Sequence, residues 1–215
     1  RSGNISGSRS PKVGRRHAPG LDGSHTQHLL RRRNLLCARI GGVLMKTHIH
    51  LIGIGGTGIS SIARVLLEKG YIVTGSDRTL SPLALELSIH GVKVYEGHAA
   101  ENIAGANLVV RSSAIPDSNV EVIAAHKAGI PVLKRSDFLG DLMQGQVGIT
   151  VAGSHGKTTT TALMAFTLTR LSLDPSYIIG GVSKDLEGNA HAGKGEYFVI
   201  EADEYDRMFL GLKPQ

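Results

Sequence analysis

Two apolar runs, residues 47–53 and 147–152, each pass directly into a glycine-rich turn and then into a stretch of helical periodicity. A buried strand that hands over to a helix through glycines leaves several backbone N–H groups and the positive end of a helix dipole at one spot, which suits an anion. Two such units in series restrict the chain to an α/β fold, with parallel strands covered by helices on both faces.

The rest of the pattern agrees with that restriction. After the first turn, residues 59–69 place Ile59, Ile62, Ala63, Leu66 and Leu67 on one helical face. Further strands are predicted at 71–75, 92–95, 107–111 and 131–133, with helices at 82–90 and 120–128. The second unit has a strand at 147–152, a helix over 157–171 that Asp174-Pro175 cannot continue, and strands at 177–179 and 197–200. The expected organisation is a Rossmann-like domain over 45–144 followed by a P-loop-type α/β domain over 147–215. The sequence stops about 70 residues past Val147, short for a complete domain of that kind, so an incomplete second domain is expected.

Charge sets the first 44 residues apart. They hold nine Lys/Arg and one acid, Asp22, whereas the remaining residues hold 15 basic and 17 acidic side chains. The net charge of +6 therefore belongs to a tail, and the folded part, mildly acidic, argues against a nucleic-acid partner. A disordered basic tail, an export signal around Arg31-Arg32-Arg33, and an extension upstream of a start at Met45 are the open readings of that segment. The single cysteine, Cys37, lies in it, so no disulfide framework can form, and no apolar run approaches the ~18 residues of a membrane span. A cytoplasmic protein with no membrane partner is expected.

The first turn reads Gly53-Ile54-Gly55-Gly56-Thr57-Gly58, a G-x-G-x-x-G between a strand and a helix. Its glycines allow a sharp turn and close approach to a diphosphate. Asp77 ends the next strand, where an acid commonly meets a ribose hydroxyl. Alone, this loop fits a dinucleotide such as NAD, a nucleotide diphosphate, or a turn without ligand.

The second turn reads Gly153-Ser154-His155-Gly156-Lys157-Thr158-Thr159. In such a phosphate loop the backbone cradles the phosphates, Lys157 adds a charge near the transferred phosphoryl group, and the Thr158 hydroxyl can ligate Mg²⁺. Val151 stands where the usual longer motif has its first glycine. Glu201 ends the strand at 197–200 and opens the run Glu201-Ala202-Asp203-Glu204-Tyr205-Asp206, where a further Mg²⁺ ligand is expected.

In chain order, Gly53-Ile-Gly-Gly-Thr-Gly-Ile, Gly75-Ser-Asp, Ser112-Ser-Ala-Ile-Pro, Gly153-Ser-His-Gly-Lys-Thr-Thr-Thr, Gly180-Gly and Glu201-Ala-Asp-Glu resemble the Mur ligases of bacterial cell-wall synthesis. The resemblance covers residues 45–215. It implies a three-domain enzyme of which the third domain and the latter half of the second lie beyond these residues. It implies ATP-dependent joining of L-alanine to UDP-N-acetylmuramate through an acyl phosphate, with ATP and Mg²⁺ as cofactors. The alternatives are the sibling activity that recycles murein peptide, and a fragment that binds the UDP substrate without turnover. It reassigns Gly53, Gly55, Gly56, Thr57, Gly58 and Asp77 to the UDP substrate rather than NAD, and adds Ser112 and Ser113 as residues of the substrate cleft. Gly153 to Thr159 would hold ATP. Lys157, Thr158 and Glu201 would serve catalysis, the last two with the metal, and His155 would contact phosphate or orient the loop. His98 and His126 carry no motif and are read as surface residues.

Overall fold

The computed structural model of the chain describes residues 39–40, 43–44, 47–186 and 188–202. The basic-tail reading of residues 1–44 falls outside them, apart from a two-residue antiparallel pair, β1 (Arg39–Ile40) with β2 (Val43–Leu44). Asp203, Glu204 and Asp206 of the acidic run also lie outside.

A five-stranded sheet holds the first half. Its strands are β3 (His48–Ile52), β4 (Ile72–Asp77), β5 (Lys93–Glu96), β6 (Leu108–Arg111) and β7 (Val132–Lys134), all parallel, in the order β5-β4-β3-β6-β7. The chain leaves β3 to one side and later returns to β6 on the other. The strand order therefore reverses between β3 and β6, and in open α/β sheets the crevice at that switch point is where ligands sit. Ile49, Leu51 and Ile52 of the central strand are wholly buried, because a central parallel strand is covered on both faces and must be apolar on both.

Helix α1 (Thr57–Glu68) follows β3 and buries Ile59, Ile62, Ala63, Val65 and Leu66. Helix α2 (Pro82–Ile89) starts at Ser81, whose hydroxyl accepts from the Ala84 N–H at 3.2 Å, with Pro82 in the first turn. Helix α3 (Val120–Lys127) is capped by Asn119, which accepts from the Glu121 N–H at 2.9 Å. A single 3₁₀ turn covers Ala100–Ile103.

Three elements depart from the sequence expectation. Helix α4 (Arg135–Leu142) follows β7 with no intervening turn, and its polar start, Arg135-Ser136-Asp137, hid it. In the second sheet, β9 (Ser176–Ser183) is longer than the expected strand, and β10 (Gly188–His191) pairs with it antiparallel. The segment Gly188-Asn189-Ala190-His191 carries little β-propensity, so pairing, not composition, makes it a strand.

That second sheet runs β10-β9-β11-β8, with β8 (Val147–Val151) and β9 both parallel to β11 (Tyr197–Glu201). Helix α5 (Lys157–Arg170) follows the second glycine turn. The two sheets belong to one compact unit, and one apolar cluster joins Leu51, Ile62 and Leu66 with Leu139, Ile178 and Phe198.

Candidate active site

The first loop is fixed by the strand beside it. Gly53 has φ +84°, a conformation that favours glycine, and its N–H donates to the Ser76 carbonyl at 2.8 Å; Ile54 N–H reaches the same oxygen at 3.1 Å. Asp77 takes part in the same bracing: its Oδ2 accepts from Gly55 N–H at 2.7 Å and its Oδ1 from Arg78 N–H at 2.7 Å. Ser81 Oγ donates to the Gly55 carbonyl at 2.9 Å. Gly56 and Thr57, at the start of α1, are exposed. Ser112 follows β6 at the switch point, and a Cβ on Gly53 would stand 3.0 Å from the Ser112 Cβ. Ser112 and Ser113 are both half-buried.

The second loop is built on the same plan. Gly156 caps α5 from the left-handed region, φ 76°, a position open to glycine because it lacks a Cβ. Lys157 Nζ donates to the Gly153 carbonyl at 2.7 Å, so the amine curls back over the loop. Ser154, His155 and Thr159 are exposed.

Glu201 ends β11 in register with Val151, the last residue of β8. Its Oε2 accepts from the Thr158 hydroxyl at 3.2 Å, and its Oε1 from the Gly180 N–H at 2.6 Å. One cleft of about 330 Å³ is lined by residues of both loops, Thr57 and Gly58 with Lys157 and Thr158, and by Glu201 and Arg135. Gly53, Gly55, Gly56, Asp77, Ser112 and Ser113 are not among the residues that line it.

Magnesium usually takes one or two protein oxygens and completes its shell with water and substrate phosphate. The Thr158 hydroxyl and the Glu201 carboxylate, 3.2 Å apart beside a phosphate loop, fit that donor set. Among the described residues no cluster of three or more His, Cys, Asp or Glu converges on one point.

Sequence reasoning missed a buried polar group behind the first loop. Glu121, on α3, is fully buried. Its carboxylate accepts from Ser76 Oγ at 2.6 Å and from Asn102 Nδ2 at 2.6 Å. His98 is not the surface residue expected: its side chain is 15% exposed, and its Nδ1 lies 3.2 Å from Glu121 Oε2 and 3.1 Å from Ser76 Oγ. His50, also buried, holds Nε2 3.7 Å from Glu121 Oε2, beyond hydrogen-bond length, so that pair is electrostatic and strongest when the imidazole is protonated. Burial alone would push the Glu121 carboxyl up, but His50, Ser76 and Asn102 hold it down to about 2. Apart from Ser76, in the run Gly75-Ser-Asp, no motif marked these residues; the signal for Glu121 was a charge between two apolar residues, Val120 and Val122, at a helix start.

The sequence profile described as Mur ligase family, catalytic domain, matches residues 48–147. A UDP-N-acetylmuramate–L-alanine ligase of Pelodictyon phaeoclathratiforme is 52% identical over 167 residues, which is 77% of this chain and 35% of that protein. The chain thus spans about a third of the length of such relatives. Among solved structures, the UDP-N-acetylmuramate-alanine ligase of Thermotoga maritima superposes with a TM-score of 0.73 at 31% identity, covering 78% of this chain and 39% of that one. The UDP-N-acetylmuramate:L-alanyl-gamma-D-glutamyl-meso-diaminopimelate ligase from Neisseria meningitides also gives a TM-score of 0.73 at 31% identity, covering 79% of this chain and 59% of that one. With the parallel sheet, the two glycine loops and the residues they gather at one cleft, these likenesses establish that the chain belongs to the Mur ligase family.

Proposed function

We propose that this chain is the part of an ATP-dependent ligase that binds UDP-N-acetylmuramate and ATP, and that the whole enzyme joins L-alanine to the muramyl carboxylate. The carrying observation is the shared cleft: Thr57 and Gly58 of the first loop face the same space as Lys157, Thr158 and Glu201. An acid held through its UDP at the first loop can there meet the terminal phosphate of ATP held at the second. On this reading residues 45–144 form the UDP-substrate domain, with Gly53, Gly55, Gly56, Asp77, Ser112 and Ser113 around the nucleotide and sugar. Residues from 147 onward belong to the ATP domain.

A carboxylate oxygen attacks the γ-phosphorus, and the bond to the bridging β,γ-oxygen breaks to release ADP. The amine of L-alanine then attacks the acyl carbon, phosphate leaves, and the amine gives up a proton. Phosphoryl transfer of this kind needs positioning and positive charge around the phosphate rather than covalent help. Lys157 supplies a cation, and the backbone N–H groups from Gly153 to Thr159 cradle the phosphates, with His155 exposed at the loop tip. Thr158 and Glu201 would hold Mg²⁺, whose chemistry is to neutralise charge on the phosphate oxygens. The curated relatives of 52% and 50% identity are named as L-alanine ligases, and this supports L-alanine as the acceptor.

Lys157→Ala tests the division of labour. Calorimetric titration of the variant should show the affinity for Mg-ATP reduced roughly tenfold or more, with the UDP-N-acetylmuramate Kd within about twofold of the parent. Equal loss of both affinities would refute separate sites, and a parent chain that binds neither ligand would refute the ligase reading.

A further inference from the structure

The cleft has a wall that no sequence motif marks. Arg135 opens α4 at the carboxyl end of β7, and Phe138, Leu139 and Leu142 anchor that helix in the core. Its guanidinium lies against Gly58: a Cβ there would overlap Nη1 and stand 2.5 Å from Cζ. The third motif glycine of the G-x-G-x-x-G, Gly58, therefore makes room for a cation, whereas in dinucleotide folds that glycine commonly serves helix–strand packing. Thr57, Gly58 and Ser61 present this side of α1 to the second loop, where Lys157 and Thr158 complete the cleft. The braced N–H groups of Gly53 and Gly55 lie outside it.

We propose that Arg135 binds the carboxylate of the acid substrate and aims it at the terminal phosphate of ATP. This rests on the ligase reading above and adds a substrate-binding residue to it. The cleft carries two cationic side chains, Arg135 and Lys157, and one acid, Glu201. Lys157 stands at the second loop, over Gly153, and Arg135 stands against Gly58 at the first. Arg135 is thus the cation on the first-loop side, where the acid arrives. A guanidinium is planar, permanently charged, and matches a carboxylate through two parallel N–H donors. It neither takes nor gives a proton in the phosphoryl step. While one carboxyl oxygen forms the new bond to phosphorus, the other stays hydrogen-bonded to the guanidinium and becomes the carbonyl oxygen of the acyl phosphate.

The test compares two ligands that share UDP and an N-acetylated sugar but differ in the lactyl carboxylate: UDP-N-acetylmuramate and UDP-N-acetylglucosamine. Calorimetric titration of the 215-residue chain should show the carboxylate-bearing ligand bound at least roughly tenfold more tightly. Arg135→Gln should erase that preference while leaving the UDP-N-acetylglucosamine Kd within about twofold, and Arg135→Lys should keep part of it. Equal weakening of both ligands would make Arg135 a diphosphate contact and overturn the proposal. So would a preference that survives in Arg135→Gln, or a parent chain that binds both ligands equally. A parent that binds neither removes the ligase reading as well. Circular dichroism checks each variant's fold, and Arg135→Lys decides the question should Arg135→Gln fail to fold.

Discussion

Glu121 carries a carboxylate into a site that water does not reach, and four side chains converge on it: Ser76, Asn102, His98 and His50. Its position behind the first loop gives it leverage, because the Ser76 carbonyl holds Gly53 and Ile54 while the Ser76 hydroxyl donates to Glu121. The carboxyl is depressed from an ordinary value near 4.5 to about 2, so its contribution to stability is complete above pH ~4.5 and disappears as pH falls toward 2. Glu121→Gln keeps the shape but opposes its own NH₂ group to the donors around it. The expected cost is about 1–3 kcal/mol at neutral pH. The variant should also lose part of the parent's fall in stability between pH 4.5 and 2. Urea unfolding over a pH series checks both, and a variant whose acid profile overlays the parent's would show that Glu121 is not the group titrating. None of this was legible in the sequence, since a buried charge is identified by its partners, and those partners come from β3, β4, the 3₁₀ turn and the segment before it. The two glycine loops were legible because their chemistry is local: each cradle is made by consecutive residues.

Among the elements, β4 bears on the first loop most directly. Its Gly75 faces the turn that leaves β3: a Cβ there would stand 2.5 Å from Ile54 Cδ1 and 2.7 Å from the Leu51 carbonyl oxygen. The Ile54 side chain could rotate aside, but a backbone carbonyl in a sheet ladder cannot. Gly75→Ala should therefore push β4 away from β3 and cost about 1–3 kcal/mol, the range for overpacking, with a weakened Kd for UDP-N-acetylmuramate. Thermal unfolding read together with titration checks this, and unchanged stability would mean that the two strands accommodate a methyl group. The sequence showed Gly75 as a member of a motif, whereas the reason for it lies in the register that sets Leu51 opposite Gly75. Strands β3, β6 and β11 were readable because burial on both faces leaves a run of apolar residues, and the half-buried edge strand β8 was readable from its Val and Ile residues. Strand β10 was not, because its contacts lie with β9 and α1.

Those contacts decide how the two sheets behave as a whole. Asn189 on β10 donates to Ser61 Oγ of α1 at 2.8 Å in a buried site. Glu68, at the end of the same helix, accepts from Ala192 N–H at 2.7 Å and pairs with His191 at 2.9 Å. Helix α1 thus serves the first loop at its N-terminus and docks the second sheet along its length. The apolar cluster that runs from Leu51 to Phe198 carries no seam between the halves. A chain built this way should unfold in one cooperative step, with calorimetric and van't Hoff enthalpies equal. Ligand bound in one half must then stabilise both. UDP-N-acetylmuramate at about 100 times its Kd adds roughly 2.7 kcal/mol, which for a chain of this length raises Tm by roughly 5–10 °C. Amide exchange in β8, β9 and β11, remote from the first loop in sequence, should slow together with exchange in β3 and β4. Protection confined to the first sheet, or two separate calorimetric peaks, would show that α1 docks the second sheet without coupling it.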